Sequence, residues 1–198
     1  MKEDIMLDLS NLLDIVRNCK QEFRNWVSLV NIKSELSMHF NSMANDYHRL
    51  FLMDMHKGLN RSQSDKCTFW RIFSRQEAKE YEENAITSTD IAKWRNMLSR
   101  HDTTINMIKI TRDTQIVHTD KDAPVPELIS MWSLQKLLYD MENVIKNMFM
   151  VLGKHLPVIA IIEDVDNHTI AEAFNRLEVM LRFKQLSRNL GLEYSDPV

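Results

Sequence analysis

The chain has 198 residues, 44% of them hydrophobic and 27% charged, the balance of an ordinary globular protein large enough for one cored domain. A net charge of −3 gives no global attraction to nucleic acid or anionic membrane, so any polyanion must be held by a local patch. With only 3 glycines and 4 prolines, the chain lacks the turn residues that a sheet protein needs, and long helices are expected instead.

The first residues, MKEDIMLDLSNLLD, place acids where a signal peptide needs a basic start, and no run approaches the roughly 18 apolar residues of a membrane span. A soluble, cytoplasmic protein without membrane contact is expected. Ile5, Leu9, Leu12, Val16, Phe23, Val27 and Val30 recur at helical steps. A second stripe follows in Leu36, Phe40, Met43, Tyr47, Leu50 and Phe51. The polar NIKSELS between them predicts a break, and Gly58 is placed to end the second helix. Phe69, Trp70 and Phe73 predict a short amphipathic turn or helix, with a solvated acidic stretch after it. Thr87–Asp90 offers N-cap material for a helix with a seam of Ile91, Trp94, Leu98, His101, Ile105 and Ile108; four residues on, Arg112 falls on the same face.

Pro124 and Pro126 must end that helix and can start another, striped by Leu128, Met131, Gln135, Leu138, Met141, Ile145, Phe149 and Leu152 and closed by Gly153. LPVIAIIED fits a short buried strand or part of a helix; its length does not decide. A last helix is marked by Ile170, Phe174, Leu177, Leu181 and Leu186, with Gly191 beyond. The expected architecture is a single all-α bundle over residues 1–198, with about five or six helices.

The search for chemistry narrows quickly. Cys19 and Cys67 have no cysteine or histidine cluster around them and read as reduced thiols. The 13 methionines read as core filler before adaptable binding surface. His48 and His56 lie eight residues apart with Asp54 near, a spacing that does not suit a helical zinc site, so they read as surface or boundary histidines. Glycines at 58, 153 and 191 form no phosphate loop. No metal site and no cofactor are expected.

That leaves TRDTQIVHTDKD, Thr111 to Asp122. Arg112 offers planar, permanently charged donors for phosphate oxygens. His118 titrates near neutrality and can carry a proton to or from a hydroxyl or leaving oxygen. Such a pair suits phosphodiester cleavage, and without metal ligands the 2′-hydroxyl of RNA is the natural nucleophile. On an ideal helix six positions turn about 600°, so the two side chains diverge by about 120° and sit ~9 Å apart along the axis. A site therefore requires the helix to tighten or end near His118, or groups from elsewhere. The plain alternative is a polar helix end, with His118 favoured by the C-terminal dipole.

Arg-Asp-Thr-Gln-Ile-Val-His-Thr-Asp resembles the signature of the HEPN superfamily, an arginine followed four to six residues later by histidine. The Arg-Asp and His-x-Asp steps look most like the U-type abortive-infection branch of bacteria. The helix pair bearing DYHRLFLMDMHKGLN, the segment DKCTFWRIF and the motif helix follow the family's order. The resemblance implies an all-α bundle that pairs as a homodimer with the two motifs facing across the interface. It also implies a metal-independent endoribonuclease of toxin or anti-phage type, possessing RNA as substrate and, for a toxin, an antitoxin protein as partner. By position, Arg112 would stabilise phosphate and transition state and His118 would be the general acid/base. Asp113 would fill the polar position after the arginine, and Asp120 would orient His118 or a base. Some family members are non-catalytic and serve as dimeric binding modules for nucleotide, RNA or protein. A third possibility is a plain helical interaction domain.

Local charge does not decide among these. Lys109, Arg112 and Lys121 balance Asp113, Asp120 and Asp122, so RNA affinity needs further basic residues, for which Arg95 and Arg100 are candidates.

Overall fold

The computed structural model describes residues 4–32, 37–62, 67–82, 85–117, 129–155 and 165–189. Among them are seven α-helices and one π-helical segment, and no strand. The chain is all-α, as its composition requires, and no described helix is long and apolar enough to cross a membrane.

Helix α1 (Ile5–Val30) starts where the Asp4 side chain accepts from the Met6 amide at 2.8 Å, satisfying one of the free N-terminal donors. All seven residues of its expected stripe are buried. Its partner is α2 (Ser37–Leu59), and these two helices make the most extensive pairing in the fold. The buried face of α2 differs from the expected one. Met43 and Leu50 are 46% and 48% exposed, whereas Ala44, Phe51, Leu52, Met55 and Leu59 are buried. Of the expected stripe Phe51 is in the core, Phe40 and Tyr47 are partly buried, and Leu36 lies outside the described residues. The inward face also carries His48, stacked on Trp26, and buried Asp54; its polar residues hide it from a count of apolar ones.

Gly58 does not end α2. It lies inside the last turn, where an added Cβ would sit 3.4 Å from both Ile15 and Met141, so its bareness serves the contact of α2 with α1 and α6.

Helix α3 (Phe69–Glu77) is the short amphipathic helix, capped by Thr68, whose side chain accepts from the Arg71 amide. Among the acidic residues after it, Tyr81 is fully buried; its hydroxyl donates to Asp8 of α1 at 2.6 Å. Arg75 donates to the same Asp8 oxygen at 2.7 Å and to Glu80 at 3.0 Å, so the segment after α3 is fastened to α1 by a buried charge network. Helix α4 (Ser88–Ser99) opens on a complete capping box of Thr87 and Asp90.

The helix expected to run on through Arg112 is broken at Arg100–His101, and a separate α5 (Asp102–Thr111) follows. The cause lies in His101: it is buried, and its Nε2 meets Asp140 at 2.8 Å, which fixes the chain where it redirects. This break and the distinct α3 bring the helix count to seven. Helix α6 (Met131–Val151) buries Met131, Leu134, Leu137, Leu138, Met141, Val144, Ile145, Met148 and Phe149. It ends on Gly153 at φ 61°, with the Gly153 amide donating to Met150 and the Lys154 amide to Phe149, the paired closure that a left-handed residue permits.

Helix α7 (Asn167–Asn189) packs on α1 and α6 through Ile170 and Ala173, with Phe174 and Leu177 partly buried. Arg176 donates to the Val30 carbonyl at 3.2 Å, satisfying an orphan acceptor at the end of α1. The side chains of Leu181 and Leu186, and the expectations for Pro124, Pro126, Leu128, LPVIAIIED and Gly191, lie outside the described residues.

Candidate functional site

Helix α5 loses its regular ladder at Arg112, and residues Arg112–Val117 form a π-helix. A local cause is Thr114. Its hydroxyl donates to the Ile110 carbonyl at 2.8 Å, the acceptor that an α-helix reserves for the Thr114 amide. The Arg112 amide is itself shared between Ile108 and Lys109 carbonyls. Helix widening of this kind recurs at functional sites. Here it occurs at the first residue of the motif.

Arg112 continues the seam of α5 and points at α2. Its guanidinium is held on two sides. Nε donates to Asp113 Oδ1 at 2.8 Å and Nη2 contacts the same oxygen, while Nη1 lies 2.6 Å from Nδ1 and 3.0 Å from Nε2 of His56. Arginine only donates, so the imidazole nitrogen that accepts from it carries no proton. The Arg112 side chain is 27% exposed, partly withdrawn from bulk water, so its charge is less screened than on an open surface. His56 is half-buried. It lines a cavity of about 110 Å³ with Arg61, Asp102, Ile105 and Lys109.

The expected site residues are therefore brought together only in part. Arg112 and Asp113 are in direct contact, and Lys109 shares a cavity with His56. His118, Asp120 and Lys121 lie outside the described residues. Arg95 is on α4, away from the motif helix, with its Nη2 on Glu77 at 2.7 Å and its guanidinium carbon 5.6 Å from the Phe73 ring centre. It lines a larger cleft of about 540 Å³ between α3 and α4. Arg100 caps α4, is exposed, and lines neither cavity. Neither arginine shares a helix with the motif, because of the break at His101.

His56 is the residue that sequence reasoning missed. It was expected at a boundary, which its half-burial matches, but nothing in its spacing from His48 announces Arg112, and only tertiary packing joins them. A usable signal was present in the seam: it places Arg112 on a buried face, where a guanidinium needs a partner.

Strongly shifted groups lie elsewhere, three of them at the α1–α2 interface. Burial lifts the Glu22 carboxyl to about 7, aided by the Asp54 charge. Burial also pushes the His48 ring down to about 4 and the Cys19 thiol well above its usual value. These are consequences of packing two helices over polar groups, and none touches Arg112.

Family models, curated proteins and solved structures were compared with the chain, and none matches.

Proposed function

We propose that the chain is a metal-independent endoribonuclease of toxin or abortive-infection type, with Arg112 and His118 as its catalytic pair at the cleft of a homodimer. The observation that supports this reading is the setting of Arg112. It stands where the helix turns to π geometry, half-withdrawn from water and fixed by Asp113 and His56. An exposed arginine at a polar helix end would have no such restraint. Fixed guanidinium donors stabilise charge that develops on a phosphoryl group because little reorganisation is left to do. On this reading Arg112 binds the scissile phosphate and His118 moves the proton of the 2′-hydroxyl or the leaving oxygen. Asp113 orients the guanidinium, Asp120 orients His118, and Lys109 and Lys121 hold flanking phosphates. The cell interior is the place for such an activity, and a neutralising antitoxin is the partner a toxin would need.

One feature favours a second reading, a non-catalytic dimer that binds nucleotide, RNA or protein. Asp113 occupies the two-donor edge of Arg112, the edge a phosphate would take bidentately. Incubation of the protein with single-stranded RNA in excess chelator, beside Arg112→Ala and His118→Ala, decides between the two. Cleavage by the wild type alone, leaving cyclic-phosphate ends, supports the nuclease. An inactive wild type across varied RNAs, or full activity in His118→Ala, rejects it.

A further inference from the structure

The cleft between α3 and α4 is lined by arginine, serine and asparagine side chains and by Trp70. Arg71 and Ser74 lie three apart on one face of α3, and Arg95 and Ser99 lie four apart on one face of α4, so helical spacing turns both pairs into the same groove. Arg61, just beyond α2, closes one end. Among the described residues, three arginines line about 540 Å³ and no carboxylate does, in a chain of net charge −3.

The arginines are also arranged. Arg61 has its guanidinium carbon over Trp70, 4.4 Å from the ring centre, and donates to Asp102 at 2.6 Å. Arg95 is steadied by Phe73 and Glu77, and its Nε is buried without a hydrogen-bond partner. Arg71 has no carboxylate at ion-pair distance among the described residues. Two guanidinium groups are thus pre-set by neighbours behind them, and a third is uncommitted. Arg61 and Arg95 are partly compensated by Asp102 and Glu77, so the charge that an entering anion would meet is chiefly that of Arg71. The guanidinium fork and adjacent hydroxyls match phosphate oxygens.

Arg61 also lines the smaller cavity beside His56, and His56 contacts Arg112. The two concavities therefore share one side chain, Arg61, with Lys109 lining the smaller and Arg71 and Arg95 the larger. From this we infer that the α3–α4 cleft is a phosphate-binding subsite that holds the backbone of a single-stranded RNA whose scissile bond lies at Arg112. The inference rests on the reading of RNA as substrate, and its test is binding, not cleavage.

Fluorescence anisotropy with a short, labelled, uncleavable 2′-O-methyl oligouridylate measures the affinity of the wild type, Arg71→Glu and Asn96→Asp. Asn96 lines the cleft from α4, so the two variants lower its positive charge from opposite walls. Each should weaken binding about five-fold or more, and Arg71→Ala should make the salt dependence shallower by about one phosphate. Unchanged affinity in both, or a wild type that binds no oligonucleotide, overturns the inference. ATP is the second arm: failure to displace the oligonucleotide supports a strand, and displacement at micromolar concentration means a free nucleotide and overturns it. Intact, Arg71-dependent binding without cleavage of ordinary RNA rejects the nuclease reading alone. Cleavage with Arg71-independent binding rejects the subsite alone.

Discussion

Arg112 and His56 are 56 residues apart in sequence and 2.6 Å apart in space, one on the π-helical extension of α5 and the other on α2. The contact gives the motif arginine a partner from a different helix, and it makes His56 a positioning residue for whatever Arg112 binds. On the proposed nuclease reading, Arg112→Ala should lower metal-free RNA cleavage by about 10²–10³-fold, the usual loss when one fixed charge-stabilising donor is removed. His56→Ala should lower it less, by about ten-fold, and through kcat more than KM, because the guanidinium remains but is no longer held. His56→Gln, which restores an acceptor, should recover part of the rate. Steady-state kinetics on all three settle it; a His56→Ala enzyme with wild-type kcat refutes the positioning role.

Asp8, Arg75 and Tyr81 test the scaffold independently of function. Arg75 is 7% exposed and shares its Asp8 oxygen with the Tyr81 hydroxyl, while its guanidinium carbon lies 4.7 Å from the Tyr81 ring centre. Arg75→Met fills much of the same volume but leaves the Asp8 carboxylate with its main cation gone. The expected loss is about 3 kcal/mol, at the lower end for breaking a buried pair because Tyr81 still donates. Urea denaturation with an unchanged m-value would measure it. A loss below about 1 kcal/mol would mean that water reaches Asp8.

The sequence spoke most clearly where one physical demand acted alone. The stripe of α1, the cap at Thr87 and the stop at Gly153 each follow from a local rule, and each is found where expected. It misled where tertiary partners overrode the local signal. His48 turns inward on α2 because Trp26 receives it, and Asp54 is buried there too, so the apolar stripe read from the sequence is about one residue out of phase. The break at His101 depends on Asp140, 39 residues away, and no window around residue 100 contains that information. The same holds for the site: Arg112 and Asp113 are readable as neighbours in sequence, but His56 and the Arg61–Arg71–Arg95 cleft exist only after folding.

Ile110 bears on assembly. It is 60% exposed on α5, about 200° around the helix from Arg112, on an outer face that a homodimer pairing through α5 would cover. Ile110→Asp should then shift the protein from dimer to monomer in light scattering and reduce RNA cleavage, while the thermal stability of the monomer changes little, since the side chain leaves the core untouched. A wild-type monomer, or a dimer insensitive to this change, contradicts pairing through this face of α5.

Glu22 and His48 make stability depend on pH in opposite senses. The Glu22 carboxyl is raised from 4.5 to about 7 in the fold; Asp54, Cys19 and Lys57 are the titratable groups coupled to it. The native state thus holds a proton that the unfolded chain releases, so this term favours folding at low pH and is lost as pH rises from about 4.5 to about 7. The His48 ring is lowered from 6.5 to about 4, so the unfolded chain takes up the proton first. That term is fully present above pH 6.5 and disappears as pH falls towards 4. Over the overlap the two nearly cancel, and the wild-type melting temperature should vary little from these groups. Glu22→Gln removes the first term and should be more stable than wild type at pH 8, by roughly 1–2 kcal/mol after discounting for its partial exposure, while losing stability more steeply on acidification. His48→Phe keeps the stack on Trp26, and should melt higher than wild type at pH 5 with a smaller difference at pH 8. Melting curves of the three proteins across this range show whether the slopes separate; parallel profiles would mean that neither group carries the pH dependence.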